Sequence, residues 1–187
     1  FDIHGENSPL CREYKRIPNT YAGFSPIEDV TLSARIDRDI LRMNILMSED
    51  SWDAATDYYI YGHLTHAPDT LSFQALARDS TWKQNPFYMK SQKYHNDQEM
   101  FADNLIHAAL SGDIAPFNDN DDRKDIVLRS LQTLVLIPAG VGFLYRTTIS
   151  DKECSLSNWE RGASYLIGTL EGTAWGGDEA GNGVSFY

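Results

Sequence analysis

The sequence predicts a mainly α-helical fold, in which the helices pack as a bundle. Apolar residues recur three and four positions apart in several segments, and glycine or proline follows most of these segments. Segments with the alternating pattern of a β-strand are hard to find. A chain of 187 residues with 42% hydrophobic residues can bury one core. We therefore expect a single helical domain.

Proline and glycine mark the irregular parts of this domain. Residues 1–30 contain three prolines and two glycines, which predicts an extended N-terminal arm. Residues 31–187 are predicted to form the helical domain. Within it, residues 63–96 are predicted to form a long irregular connection, and residues 175–187 a glycine-rich C-terminal tail.

Two helices are predicted before this connection. The first starts near Ser33, because four apolar residues follow at spacings of four, three and four positions. These residues are Ile36, Ile40, Met43 and Met47. The second covers 51–61, with Asp50 as N-cap, Asp53 completing an acidic capping box, and Gly62 as the end.

Three further helices are predicted from the middle of the chain. A short one covers 72–78, and a clearer one covers 97–110, with an apolar face and an aspartate at its start. The acidic turn 118–122 should cap a third helix that begins near Arg123. Pro138 should end or kink this helix, because proline lacks the N–H that an interior turn needs.

A final helix is predicted to open on the capping box Ser-Asn-Trp-Glu at 157–160. It resembles the second helix: Trp52 and Trp159 are each followed by a small residue three positions on and by a tyrosine six positions on, and each segment closes with glycine. We therefore predict two pseudo-repeated helical hairpins that present tryptophan and tyrosine to a shared core. Chance repetition of ordinary helix-start signals is the alternative.

The net charge of the chain argues against two classes of binding partner. A net charge of −11 and a sequence pI near 4.7 argue against nucleic acid and anionic membrane surfaces, which require clustered lysine and arginine. The same charge is compatible with a cation as ligand, and with an ordinary extracellular or lumenal protein. The apolar run 134–145 is too short to span a bilayer and is interrupted by proline and glycine, so we expect it in the core.

The cysteines favour an oxidising compartment. The chain has two, Cys11 and Cys154, and it begins at Phe1 without an initiator methionine. An even count and a removed N-terminal segment suit a secreted protein with one disulfide between the arm and a late loop. Two unrelated buried thiols are the alternative.

One polar stripe could bind a metal. Glu99, Asp103 and His107 are spaced four positions apart, which puts them along one edge of the predicted helix 97–110. Carboxylate, phenolate and imidazole are the ligands that a hard cation such as ferric iron prefers. Further candidates by side-chain type are Tyr61, His63 and Tyr145. An ordinary solvated helix face is the alternative reading of the stripe.

Four segments, taken in order, resemble a known family. They are Trp52/Ala55/Tyr61, Ala102/Asp103/Ala108/Ala109/Leu110/Gly112, Arg123, and Trp159/Ala163/Tyr165/Gly168/Thr169/Leu170/Glu171/Gly172. Together they resemble the FEA-type (Fe-assimilating, low-iron-induced) domain of algal extracytoplasmic proteins, which includes the phytotransferrins. The resemblance covers roughly 34–183. The family's Asn-Ser turn after the first tryptophan helix is replaced here by Gly62-His63-Leu64-Thr65-His66.

The resemblance implies secretion or surface attachment, and in some members ferric-iron binding for uptake. A plastid-lumen location is the alternative, for a structural subunit of a lumenal assembly. Glu171 lies in the family-like Gly-Thr-Leu-Glu-Gly segment and is either a ligand or a hydrogen-bonding anchor of the tail. Arg123 or Arg146 could hold an accompanying anion such as carbonate. Additional FEA-like domains could accompany this one.

Two function hypotheses follow. The first is an extracytoplasmic ferric-iron-binding protein for iron acquisition. The second is a non-catalytic structural or interaction subunit of a surface or lumenal assembly that has lost metal binding, with the aromatic stretch 82–94 as a contact surface. We expect no enzyme, because the sequence has no G-x-S-x-G or H-E-x-x-H motif.

Overall fold

The structure is a computed structural model that describes residues 26–27, 29–62, 71–79, 85–113, 119–149 and 152–169. Over these ranges it contains eight α-helices, a π-helical turn and no β-strand. The elements are α1 Thr31–Ser48, α2 Trp52–Tyr61, α3 Phe73–Arg78, α4 Pro86–Tyr94, α5 Phe101–Ser111, α6 Asn120–Ser130, the π turn Leu131–Leu136, α7 Ile137–Thr147 and α8 Lys152–Ile167. The predicted mainly α-helical bundle is confirmed.

One main hydrophobic core holds the bundle together. Helices α1, α2, α3, α5, α6 and α7, together with the π turn, contribute its fully buried side chains. α1 packs between α2 and α8, α5 packs against α2 and α6, and α7 packs along α8. The helical spacing read from the sequence explains α1, because Ile36, Ile40 and Met43 are all at most 1% exposed.

The first and last helices run parallel, side by side. The Ser164 hydroxyl of α8 donates to the Ser33 hydroxyl of α1 over 2.7 Å. Four residues further along α1, Asp37 accepts a hydrogen bond from the backbone N–H of Thr169, five residues further along the chain after Ser164. Both pairs advance in the same direction, so the two helices have the same polarity.

Two buried carboxylates bind the chain segments that flank these helices, one before α1 and one after α8. Asp37 is 1% exposed and also accepts from the Thr169 hydroxyl over 3.0 Å. Glu160 of α8 is 3% exposed and accepts from the backbone N–H of Ile27 over 2.7 Å. A buried carboxylate is stable only when hydrogen bonds replace its lost water, and these backbone groups provide them.

The helix that contains Pro138 continues through it. The N–H of Ile137 donates to the carbonyl of Gln132, five residues earlier, which defines the π turn directly before the proline. In an α-helix the proline ring clashes with the carbonyl four residues before it, and the wider π turn relieves this clash. The sequence predicts an end or a kink at Pro138; the helix does not end there but continues to Thr147, with the π turn as the local distortion. The sequence contains no signal for the π turn that replaces the break.

This continuous helix, Asn120–Thr147, has 28 residues and is, by length and composition alone, apolar enough to cross a membrane. In the described part of the chain, 56% of its most apolar stretch is buried against other helices. The core helix of a soluble protein satisfies the same length and composition criteria.

α7 and α8 approach closely where two glycines meet. A Cβ placed on Gly162 would lie 2.9 Å from the carbonyl oxygen of Gly140 and 2.8 Å from Cγ of Leu144. A Cβ placed on Gly140 would lie 2.8 Å from Leu166. Gly140 is thus the point of α7 at which the backbone of α8 packs most closely.

Several helix starts differ from the prediction. α8 begins at Lys152, so the predicted capping box at 157–160 lies inside the helix. Likewise, Asp50 does not cap α2: its carboxylate accepts from the Asn120 side chain over 2.8 Å, and the N-cap is Ser51, with no side-chain cap hydrogen bond. Capping boxes are short patterns, and tertiary contacts can recruit the same side chains.

Other boundaries follow backbone geometry. α5 begins at Phe101, because Asp97 and Met100 have φ values of +57° and +56°, which are not helical. Within the predicted connection 63–96, the short helix predicted at 72–78 is confirmed as α3, whereas α4 was not predicted. The predicted cap of the acidic turn is confirmed, since the Asp119 carboxylate accepts from the backbone N–H of Asp121 over 2.8 Å.

The two tryptophan segments share their ends but not the surroundings of the tryptophans. Gly62 and Gly168, which end the two helices, both have positive φ, +59° and +78°. Trp52 packs against the core, with the guanidinium of Arg123 3.9 Å above its ring. Trp159, in contrast, is 46% exposed.

The predicted disulfide lies outside the described part of the chain. Neither Cys11 nor the side chain of Cys154 belongs to the described residues, and most of the arm 1–30 also lies outside them, so the disulfide stays a prediction.

Candidate functional site

A buried carboxylate, Asp103 of α5, organises a polar cluster in the described interior. It is 2% exposed. The phenol of Tyr59, which is fully buried on α2, donates to Oδ1 over 2.7 Å. The Nε of Arg78, the last residue of α3, donates to Oδ2 over 2.7 Å. Three helices thus converge on one carboxylate.

His107 lies one turn after Asp103 and completes the cluster. Its Nε2 is 3.5 Å from Asp103 Oδ1 and 2.7 Å from the side-chain nitrogen of Gln74 on α3. The imidazole also meets the Tyr59 ring edge to face, with centroids 5.2 Å apart. We name Tyr59, Gln74, Arg78, Asp103 and His107 the Asp103 cluster. The side chains of Arg78 and His107 are 48% and 36% exposed, so the cluster reaches the surface there.

The environment of Tyr59 strongly favours the protonated phenol. Burial raises the pKa of Tyr59, and the hydrogen bond and negative charge of Asp103 raise it further, whereas Arg78 lowers it. Burial also raises the pKa of Tyr165 on α8, far along the sequence from this cluster. Both phenols are therefore held neutral in the folded protein.

We expect Tyr59 and Tyr165 to stay protonated at a pH at which an ordinary tyrosine, with a pKa of about 10, ionises. Because their folded-state pKa values are raised, their contribution to stability is complete below pH about 10 and is lost as the pH rises above it. Tyrosinate absorbance, followed during alkaline titration, should show the same reversible change in the wild type and in Tyr59→Phe. A smaller change in the variant before unfolding would contradict the assignment.

The other residues predicted as metal ligands are not part of the Asp103 cluster as the structure describes it. Tyr61 is 61% exposed at the end of α2, and Tyr145 is 39% exposed on α7. Glu99 precedes α5 in an exposed turn, so the predicted helical stripe is reduced to Asp103 and His107. His63 and Glu171 lie outside the described residues.

The two candidate anion-binding arginines have different surroundings. Arg123 caps the C-terminal end of α5: its Nε donates to the carbonyl of Ala109 over 2.9 Å, and its Nη2 donates to Leu110 over 2.8 Å. Its guanidinium also stacks on Trp52. These contacts are those of a structural residue.

Arg146 is partly buried, with its Cζ 5.2 Å from the ring centroid of Phe143. Burial lowers the pKa of Arg146. The negative charge of Asp79 raises this pKa, and the positive charge of Arg161 lowers it further. Phe143 in turn stacks on Tyr165, with centroids 5.7 Å apart.

The chain was compared with known proteins. No family model, curated protein or solved structure matches it. The resemblance to the FEA-type domain stays a prediction, and the function has to be argued from the cluster itself.

The donor set of the Asp103 cluster fits a hard cation in chemical type. It combines a phenol, a carboxylate and an imidazole, and ferric iron binds all three. In the described part of the chain, no three His, Cys, Asp or Glu side chains come together as a metal site. A metal at this cluster would therefore need Tyr59 as its third donor, where the sequence pointed to Tyr61. Gln74 and Arg78 were also missed, because they belong to another helix.

Proposed function

We propose that this protein binds a hard metal ion, ferric iron first, at the Asp103 cluster, and that it is a secreted or surface protein of iron acquisition. One observation carries the proposal: the Tyr59 phenol oxygen and His107 Nε2 lie 2.7 and 3.5 Å from the same carboxylate oxygen of Asp103. Three donor types that ferric iron prefers thus meet at one point.

The charges around these donors suggest how binding would proceed. Ferric iron would have to displace the proton of Tyr59, whose burial favours the neutral phenol in the metal-free protein. Arg78 is the guanidinium beside the donors, and it is more exposed than Arg123. An anion such as carbonate, if required, would therefore pair with Arg78 rather than with Arg123 or Arg146.

Titration of the purified protein with ferric iron, with and without bicarbonate, should produce a visible tyrosinate-to-iron charge-transfer band. Tyr59→Phe should remove the band and weaken binding at least about tenfold, because it removes a ligand. Tyr58→Phe, a change of the neighbouring phenol on the same helix, is the matched control and should retain both.

Asp103→Asn and His107→Gln should also weaken iron binding in this titration. Iron should raise the unfolding temperature of the wild type by mass action and leave that of Tyr59→Phe unchanged. A band that persists in Tyr59→Phe would place the metal elsewhere, and the absence of any band or stabilisation in the wild type would reject the proposal.

A second candidate function is a non-catalytic structural or interaction subunit that does not bind metal. It is favoured by the completeness of the Asp103 cluster as a hydrogen-bond network, in which Tyr59 and Arg78 already occupy both carboxylate oxygens. Under this alternative, Asp103→Asn would lower stability and iron would have no effect on either protein.

A further inference from the structure

Helix α3 meets α5 through two side chains that lie one helical turn apart. Gln74 and Arg78 of α3 are four positions apart, as are Asp103 and His107 of α5. Gln74 contacts His107 over 2.7 Å, and Arg78 contacts Asp103 over 2.7 Å. The earlier residue of each pair meets the later residue of the other, so α3 and α5 run antiparallel along this contact.

The other contacts of α3 hold these two side chains in place. Phe73, Leu76 and Ala77 are buried in the main core. The Ser72 hydroxyl caps the helix by accepting from the backbone N–H of Ala75 over 3.1 Å. A helix of six residues is not stable by itself, so this packing determines which side of α3 faces the Asp103 cluster.

Arg78 determines which oxygen of the Asp103 carboxylate meets the other donors. Its Nε donates to Oδ2. The second oxygen, Oδ1, accepts from the Tyr59 phenol and lies 3.5 Å from Nε2 of His107. Tyr59 and His107 therefore meet at Oδ1, and the protonation of His107 Nε2 decides what this nitrogen can bind there.

The contact with Gln74 fixes the protonation of this ring nitrogen. The side-chain nitrogen of Gln74 lies 2.7 Å from His107 Nε2, and an amide nitrogen can only donate a hydrogen bond. Nε2 must therefore accept. In a neutral imidazole the hydrogen bond at one nitrogen sets the tautomer, so the ring proton of His107 belongs on Nδ1.

The carboxylate alone would favour the opposite tautomer. An Nε2–H group would direct its partial positive charge toward Oδ1 of Asp103, 3.5 Å away, whereas an Nε2 lone pair faces this negative charge. The N–H of Gln74 offsets the repulsion, because it places a donor hydrogen against the lone pair. The tautomer of His107 thus depends on Gln74.

We propose that Gln74 is a positioning residue that keeps Nε2 of His107 without a proton, in the form that binds a metal. Histidine binds metals through an unprotonated ring nitrogen, and the partners that set its tautomer also tune metal affinity. The Nδ1–H ring retains its proton when Nε2 binds a metal, whereas an Nε2–H ring first has to lose or move it.

The effect on metal binding rests on the proposed function, but the tautomer is a property of the metal-free protein. A metal at Nε2 takes the place of the Gln74 hydrogen, because one lone pair serves one partner. Without Gln74, the metal instead has to break a hydrogen bond from Nε2–H to the Asp103 carboxylate. Hydrogen bonds to an ionised group are the stronger kind, so loss of Gln74 weakens metal binding.

The test begins with two-bond ¹H–¹⁵N correlation spectra of the histidine rings in the metal-free protein. They are recorded at about pH 8.5, where an ordinary histidine is neutral. The His107 signals are identified by their loss in His107→Gln. We expect the Nδ1–H pattern in the wild type and the Nε2–H pattern in Gln74→Met, whose side chain has a similar length and no N–H donor.

Gln92→Met is the matched control, because it makes the same change on α4, where the Gln92 side chain donates to the Asp97 carbonyl. It should retain the Nδ1–H pattern. Titration with ferric iron then measures the consequence. Gln74→Met should bind iron about five- to tenfold more weakly than the wild type and Gln92→Met, with the charge-transfer band retained at saturation because Tyr59 is intact.

The spectra and the titration separate this inference from the proposed function. An Nε2–H ring in the wild type would overturn the inference, as would an Nδ1–H ring that persists in Gln74→Met. Equal iron affinity of the wild type and Gln74→Met, despite a changed tautomer, would also overturn it. If neither protein bound iron while the tautomer changed as expected, the proposed function would fail and the control of the His107 tautomer by Gln74 would stand.

Discussion

Replacing Gly162 with alanine should lower the free energy of unfolding by about 3 kcal/mol. The new Cβ would lie 2.9 Å from the backbone oxygen of Gly140 and 2.8 Å from Cγ of Leu144. The leucine can change rotamer, but the carbonyl belongs to helix α7 and cannot move alone. α7 and α8 would therefore separate and lose packing along their shared length. Urea unfolding, followed by far-ultraviolet circular dichroism, measures this cost.

Gly140→Ala is the matched control, because it adds the same methyl group at the same crossing. Its Cβ would meet the side chain of Leu166 at 2.8 Å and the Gly162 oxygen at 3.2 Å. A flexible side chain can yield more easily than a backbone, so we expect a loss of about 1–2 kcal/mol. Helix propensity alone would favour alanine by about 1 kcal/mol. If Gly162→Ala were more stable than the wild type, the close crossing would be wrong.

The second large effect is expected at Asp37, where alanine should cost about 3 kcal/mol. Asp37 is 1% exposed and accepts from both the backbone N–H and the hydroxyl of Thr169. Thr169 is itself 1% exposed, so both donors would stay buried without this partner. The loss is measured by comparing the thermal unfolding of Asp37→Ala with that of the wild type, at several protein concentrations to confirm that the midpoint does not depend on concentration.

Two further variants test the origin of that cost. Asp37→Asn keeps one accepting oxygen and should lose less than Asp37→Ala, and Thr169→Val should report the hydroxyl contribution separately. Asp57→Ala removes an exposed carboxylate from α2 and should stay within about 0.5 kcal/mol of the wild type. Equal stability of Asp37→Ala and Asp57→Ala would rule out a structural role for the buried acid.

Much of the helical fold could be predicted from the sequence, because it rests on local patterns. The apolar spacing of α1, the cap at Asp119 and the glycine after α2 are all properties of a few adjacent residues. α4 was missed although Pro86 occupies its first position, which is a known helix-start preference. Its apolar residues do not gather on one face, because Tyr88 is buried while Met89 and Tyr94 are exposed, and the periodic signal is weak.

The errors arise where distant contacts override local rules. The capping box at 157–160 is a valid local signal, yet Glu160 is used by the backbone of Ile27, 133 positions earlier, and α8 starts at Lys152. Similarly, Pro138 is a local signal for the end of a helix, but the π turn directly before it lets the helix continue. Neither exception is encoded in the neighbouring residues alone.

The candidate site was predictable only within one helix. Asp103 and His107 are four positions apart, so helical geometry alone brings them together. Tyr59 and Arg78 come from 44 and 25 positions away in the chain, and no periodicity connects them to Asp103. Tyr61 was chosen in place of Tyr59, and two positions on a helix correspond to a rotation of about 200°, from the core into solvent.

The parallel pairing of α1 with α8 has a consequence for biosynthesis. Ser33 and Asp37 meet their partners 131 and 132 residues later in the chain, so these contacts cannot form until the last helix has left the ribosome. Closing so large a loop costs entropy before any contact compensates for it. Until α8 is synthesised, water solvates Ser33 and Asp37, so a nascent chain that stops before α8 lacks the pairing that fixes α1 in the bundle.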